Sequence, residues 1–312
     1  MDDELLMQSL NIRYVKLEFV LRIQEDTKLP VSKVSAIRGG LGEMLLEQNC
    51  VRDRQCDNCD FESECIVRRT MYSKYKIQPA FATGKDSIGY ILECENYEED
   101  FPSGSALIFY LILFGRTIVY LNQYLMAVAA LGQHGLGKYK ARFTVDQVIN
   151  EWKQPLVDGM NVYKSNYRIT TLADYVRFRT KELNGSSYTV LLKSPATIKF
   201  RGEEMRELYP LPILESAARK VYMLDCYEGL EIPQADISEE GLPLMTEHDE
   251  TRVQTRRYSS TADTKMVFTG IKGSMRLENV SFKYLALLVS AEITHVGKNT
   301  SFGFGRVKVK EL

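Results

Sequence analysis

The chain has 312 residues, a formal net charge of −1, 45% hydrophobic residues and 26% charged ones, enough for about two domains with real cores. Its longest apolar run, Ala106–Gly115, falls far short of the roughly 18–20 residues that cross a membrane, and the acidic start Met-Asp-Asp-Glu leads into no signal-type stretch. A membrane partner is therefore excluded, a cytoplasmic location is expected, and the six cysteines read as thiols or metal ligands before disulfides.

In chain order, Val15–Ile23 alternates apolar and polar residues with period two, the pattern of a strand with one buried face. A proline loop and Ile37-Arg38-Gly39-Gly40-Leu41-Gly42 follow, with a helix expected to start near Met44. After a polar cysteine-rich stretch of about residues 50–80, Gly89–Cys94 and Ala106–Phe114 read as strands. Arg116–Leu131 then has helical spacing, and Lys140–Val148 returns to strand. The second half repeats this order. Tyr188–Leu192 and Ala196–Phe200 form a strand interrupted at Pro195, and Leu211–Tyr222 a helix with Pro212 in its first turn. Arg252–Ser259 and Lys265–Gly270 are paired strands, Val280–Thr294 a helix and Gly305–Val309 a strand. Two β-α-β-β-α-β halves predict an α+β chain of two tandem ferredoxin-like domains, 1–150 with a Cys-rich insert and 188–312. Residues 151–187 form the linker between them, with a helix near Leu172–Glu182.

Both halves place a glycine cluster between their last helix and last strand: Gly132–Arg142 and His295–Arg306. Glycine reaches positive φ and lets backbone N–H groups approach a phosphate, while interleaved Lys and Arg supply charge. Neither cluster follows a strand and opens a helix, and neither ends in Gly-Lys-Ser/Thr, so dinucleotide and P-loop readings fail. Phe302 and Phe304, if exposed, could stack on bases. Charge is segregated too: Asp225–Glu250 contains no Lys or Arg, whereas cations outnumber acids from Arg252 onward.

The Gly-Lys-x-Thr-x-Phe-Gly-x-Gly-Arg core of His295–Arg306 resembles the C-terminal glycine-rich loop of the CRISPR repeat-RNA endoribonucleases of the RAMP superfamily. Arg257-Tyr258-Ser259-Ser260 with Phe268–Gly273, Leu192-Lys193-Ser194-Pro195 and Arg38-Gly39-Gly40-Leu41-Gly42 are similar to further segments of that family. The resemblance implies two ferredoxin-like domains, a glycine loop on repeat RNA, and metal-independent cleavage of precursor CRISPR RNA within its repeats. Gly297, Lys298, Gly303, Gly305, Arg306, Arg38, Lys138, Lys140 and Arg257 are the expected RNA-binding residues. Partners would be precursor and processed repeat RNA and other CRISPR effector subunits. A non-catalytic RAMP subunit holding guide RNA is the competing reading.

Such cleavage uses the RNA's own 2′-hydroxyl, a base, an acid and a cation, with no catalytic cofactor, and leaves a 2′,3′-cyclic phosphate and a 5′-hydroxyl. Of three histidines, His248 lies among acids that would repel phosphate. His295, beside Lys298, and His134, at the analogous place in the first half, are the candidate catalytic groups, Lys298 the cation. Many family members carry their histidine in or near the first helix, where this chain has none, so Arg38 and Tyr258 are weaker substitutes. Cys50, Cys56, Cys59 and Cys65 contain one Cys-x-x-Cys chelate spacing, which favours a structural zinc over free thiols or a redox disulfide.

Overall fold

The computed structural model describes residues 3–54, 56, 59–72, 75–82, 87–259 and 264–312, with backbone alone for 256–259 and 264–266. Its main elements are α1 (Asp3–Ser9), β1 (Arg13–Ile23), α2 (Lys33–Asn49), α3 (Ile66–Thr70), β2 (Tyr90–Glu93), β3 (Ala106–Phe114), α4 (Leu121–His134), β4 (Phe143–Asn150), β5 (Pro155–Asp158) and β6 (Asn161–Val162). There follow α5 (Leu172–Glu182), β7 (Tyr188–Ala196), α6 (Pro210–Glu228), β8 (Leu244–Ser259), β9 (Thr264–Glu278), α7 (Phe282–Thr294) and β10 (Val307–Glu311).

The first compact unit is Tyr14–Ile169. Its strands run in the order β2-β3-β1-β4-β5-β6, and β1 pairs antiparallel with both β3 and β4. That is the ferredoxin-like order with a hairpin added at one edge. Leu17, Phe19, Leu21 and Ile23 are buried on the same face of β1, and the Phe19 and Phe109 rings stack 4.7 Å apart across the pair. Helix α2 starts at Lys33, earlier than Met44, and runs straight through the Gly39-Gly40-Leu41-Gly42 motif. Val34, Ile37, Leu41, Met44 and Leu45 are buried at helical spacing and outweigh the poor helix propensity of glycine. Gly40 has a packing reason: a Cβ there would sit 2.5 Å from Leu131 Cδ1 on α4.

The second unit combines Met1–Arg13 with Thr170–Leu312. Its sheet order, β8-β9-β7-β10, repeats the first topology strand for strand. Val190, Leu192, Met275, Leu277, Val307 and Val309 are buried in the sheet, and α7 is buried from Tyr284 through Thr294. Residues 151–187, expected as a linker, divide between the units: β5 and β6 extend the first sheet, while α5 packs on α7. Leu172, Ala173 and Val176 are buried, and backbone bonds from Leu172 and Ala173 to Ile12 and Leu10 tie the N-terminal segment to α5.

A buried ion network fixes α5 on α7. Glu292, with its side chain 3% exposed, accepts from Arg179 Nε at 3.1 Å, Lys308 Nζ at 3.2 Å, the Val309 amide at 2.8 Å and the Tyr175 hydroxyl. Burial alone would raise the Glu292 carboxyl, but the bonds from Arg179, Tyr175 and Val309 outweigh it and hold the group below its ordinary range. His248 lies in strand β8 opposite Met275, not in a loop, and its ring pairs with Glu250 at 2.8 Å. The hairpin β8–β9 is longer than expected because its base joins the sheet through β7 while its outer half runs on as a two-stranded arm.

Candidate nucleic-acid interface

The second glycine turn is built by strict backbone geometry. Helix α7 ends at Thr294, and His295 follows with φ 59° and ψ 173°, a conformation that ordinarily belongs to glycine. Gly305 stands at φ 70°, and a Cβ there would lie 1.8 Å from the Val296 carbonyl oxygen, so no other residue fits. The turn rests on β7 and the residue after it. Gly305 N–H donates to the Pro195 carbonyl at 2.8 Å, Arg306 N–H to Ser194 Oγ at 2.9 Å, and Lys298 N–H to the Thr197 carbonyl at 2.9 Å. The Leu192–Pro195 segment and the glycine core, more than a hundred residues apart in the chain, are thus one structure. The amides of Asn299, Thr300 and Ser301, by contrast, meet no acceptor among the described residues.

Side chains divide into a sealed floor and an open rim. Lys298 is exposed, and Asn299, Phe302, Gly303 and Arg306 are half-buried, whereas Thr300, Ser301, Phe304 and Gly305 are buried. Phe304 is therefore not available to stack on a base. Its ring meets Phe268 of β9 edge-on at 5.6 Å, and Phe302 lies 6.0 Å from the same ring, which anchors the hairpin arm to the turn. Arg252 and Lys272 on this hairpin are exposed. The side chains of Arg257 and Tyr258, and all of Ser260, lie outside the described residues.

His295, the strongest catalytic candidate from sequence, needs correction. It is 0% exposed, and its Nδ1 lies 2.8 Å from the Phe304 carbonyl oxygen, to which an Nδ1–H donates. A ring sealed under the turn reaches no phosphodiester; its place is to hold residues 295 and 304 together. Lys298, at the rim, keeps the exposure that a phosphate contact requires.

The first glycine turn is differently made. Gly135 has φ 89°, Lys140 has φ 52°, and a bridge between Leu136 and Ala141 closes a short loop whose side chains project outward. His134, Lys138, Tyr139, Lys140 and Arg142 are all exposed. His134 Nε2 lies 2.7 Å from Lys140 Nζ, within hydrogen-bond reach of it. Lys138 Nζ stands 5.5 Å from the Tyr139 ring centroid. Arg38, half-buried on α2, reaches Ser87 Oγ at 3.3 Å.

Cys50, Cys56, Cys59 and Cys65 are half-buried free thiols between the end of α2 and the start of α3. Burial pushes the Cys56 thiol up, Arg68 opposes this, and the other three thiols add to the rise. Among the described residues no three His, Cys, Asp or Glu side chains stand close enough together to hold a metal ion.

Two family models cover most of the chain. One, AF_1859_N, described as an N-terminal domain, matches residues 10–173. The other, described as CRISPR-associated endoribonuclease Cas6, matches residues 190–307. No curated protein matches. Among solved structures, a partial Cas6-RT-Cas1–Cas2 complex superposes with a TM-score of 0.59 at 11% identity over 96% of this chain, which spans only 46% of that one. A Cas6 product complex gives a TM-score of 0.52 at 16% identity, covering 96% of this chain and 100% of that one. Cas6 from Thermus thermophilus gives 0.52 at 12% identity, covering 96% and 99%. At these identities the likeness concerns the fold.

Proposed function

We propose that the chain, whose residues 190–307 match the family model described as CRISPR-associated endoribonuclease Cas6, cuts precursor CRISPR RNA within the repeats and holds the product. The observation that carries this reading is the second glycine turn, a backbone scaffold braced by β7, with Lys298 at its rim and the amides of Asn299–Ser301 meeting no acceptor among the described residues. Such amides and an adjacent ammonium suit a phosphate of the RNA backbone. Gly303, Arg306 and Arg257 belong to this contact, Gly297 and Gly305 shape the turn that makes it, and Lys138, Lys140 and Arg38 are RNA contacts of the first unit on its own account.

The 2′-hydroxyl beside the scissile phosphate is the nucleophile, so the route needs no metal-activated water. A base takes its proton, the 5′-oxygen leaves with a proton from an acid, and the ends are a 2′,3′-cyclic phosphate and a 5′-hydroxyl. For proton transfer we assign His134, whose ring is exposed and paired with Lys140, in place of the buried His295. A cation beside the scissile phosphate offsets the charge of the phosphorane, and Lys140, 2.7 Å from His134 Nε2, is in place to supply it. The alternative, a guide-RNA scaffold that does not cut, gains weight from one observation only, the burial of His295.

Incubation with end-labelled repeat RNA in EDTA, followed by end-group analysis, tests the reading. Cleavage to the stated ends supports it; tight binding without cleavage selects the scaffold; no binding at low salt overturns both. Cas1–Cas2, present with the Cas6-containing neighbour, is a protein partner to try in pull-downs. We place the protein in the cytoplasm, and among the described residues no helix is long and apolar enough to cross a membrane. The four cysteines would hold zinc only if the 50–65 loop drew them together; about one equivalent of zinc in tag-free protein supports that, and none removes it.

A further inference from the structure

Helix α6 carries two polar side chains one turn apart that both point at the glycine turn from within the protein. Ser216 Oγ accepts from the Gly297 amide at 2.7 Å. Lys220 Nζ donates to Thr300 Oγ1 at 3.0 Å, although Lys220 is only 8% exposed and Thr300 only 4%. We infer that Lys220, with Ser216 beside it, is a positioning residue that sets the RNA-binding form of the 297–306 turn. This inference rests on the function proposed above.

The physical case begins with cost. Taking an ammonium out of water is expensive, and a methionine or leucine of similar reach would fill the same space without that penalty. What an apolar side chain cannot do is grip Thr300. Thr300 is the middle residue of the three whose amides meet no internal acceptor, and Asn299 before it is left-handed at φ 60°. An ammonium 3.0 Å from the Thr300 hydroxyl fixes the direction of that segment, and screening by salt is weak at such a depth. Ser216 meanwhile fixes the other end of the turn, where Gly297 has φ 75° and a Cβ would lie 2.5 Å from the Thr197 carbonyl oxygen. The turn is thus held from two sides, by β7 with Thr197 and by α6.

The test uses the full chain with Lys220→Met, Lys220→Arg and Ser216→Ala, fluorescently labelled repeat RNA, and binding titrations at several salt concentrations. Lys220→Met is expected to weaken binding about tenfold, the loss typical of a hydrogen bond to a charged group. Lys220→Arg should recover most of that, and Ser216→Ala should cost about threefold. The slope of log affinity against log salt should stay at the wild-type value, because a buried ammonium releases no counterion when RNA arrives. Saturated single-turnover cleavage should change less than about twofold, placing the effect in binding rather than chemistry. Wild-type affinity in Lys220→Met overturns the inference, as does a salt slope lowered by about one, which would make Lys220 a direct phosphate contact. Should Lys220→Met fail to fold, Ser216→Ala decides, and wild-type affinity in that variant overturns the bracket. Failure of the wild-type chain to bind repeat RNA would instead sink the proposed function itself.

Discussion

The two glycine turns occupy the same place in two copies of one topology, yet they are opposite kinds of surface. The turn at 295–306 spends its glycines on close approach: its carbonyls and amides lock onto β7, Thr197 and α6, and several of its side chains are buried. The turn at 134–142 closes only on itself, with a Cβ at Gly135 falling 2.4 Å from the Lys140 carbonyl oxygen, and sends His134, Lys138, Tyr139, Lys140 and Arg142 into solvent. The first is a backbone site whose position is set by packing. The second is a side-chain site whose chemistry is set by which residues project from it. Duplication supplied one scaffold, and burial decided what each copy offers a polynucleotide.

The largest expected effect breaks the comparison on the side-chain turn. His134→Ala should lower the single-turnover rate of repeat cleavage by roughly 10²–10³-fold while changing RNA affinity less than about threefold. His295→Ala should do the reverse of a catalytic mutation, lowering melting temperature and RNA affinity together, because it removes the bond from Nδ1 to Phe304. A His295→Ala protein with normal stability and binding but no cleavage would restore His295 to the chemistry.

Substituting one glycine of each turn sharpens the contrast. Gly305→Ala should destabilise the protein by about 3 kcal/mol, combining a left-handed backbone with overlap on Val296, and abolish RNA binding at the same time. Gly137→Ala, at φ 71° but with its nearest atom 3.5 Å away at Pro30, should cost only about 1 kcal/mol. Urea unfolding of both variants checks the pair; equal losses would mean the two turns are packed alike.

A smaller effect tests α6 away from the turn. Both carboxylate oxygens of Asp225 are buried without a hydrogen-bond partner, and burial pushes its carboxyl up to about 8 from the ordinary 3.8. The folded chain then keeps a proton that the unfolded chain releases above pH about 4, so this group's contribution to stability falls as pH rises from about 4 to about 8. Asp225→Asn should remove that decline, raising the melting temperature by a few degrees at pH 9 and hardly at all at pH 4. An equal shift at both pH values would contradict the assignment.

Much of the architecture was legible in local pattern. The period-two run at 15–23, the helical spacing of 116–131 and 280–294, and the matched positions of the two glycine clusters lead directly to the duplicated topology. Three things were not legible. Helix α2 continues through Arg38-Gly39-Gly40-Leu41-Gly42 because α4 needs Gly40 to come close, a tertiary reason that overrides propensity. Residues 151–187 divide between the two units because Leu156 is buried in the first and Leu172 and Val176 in the second. Thr197, Ser216 and Lys220 carry no motif of their own and gain their role only when β7 and α6 close on the turn. His295 failed for a related reason: adjacency to a glycine loop in sequence does not say which side of the loop a ring faces.

Amide hydrogen exchange on the wild-type chain, with and without repeat RNA, tests most directly whether the second turn presents its backbone to the polynucleotide. Slowed exchange at Asn299, Thr300 and Ser301 on adding RNA, with little change at the internally bonded amides of Gly297 and Gly305, is the expected result. Saturating RNA that leaves those three amides untouched would contradict it.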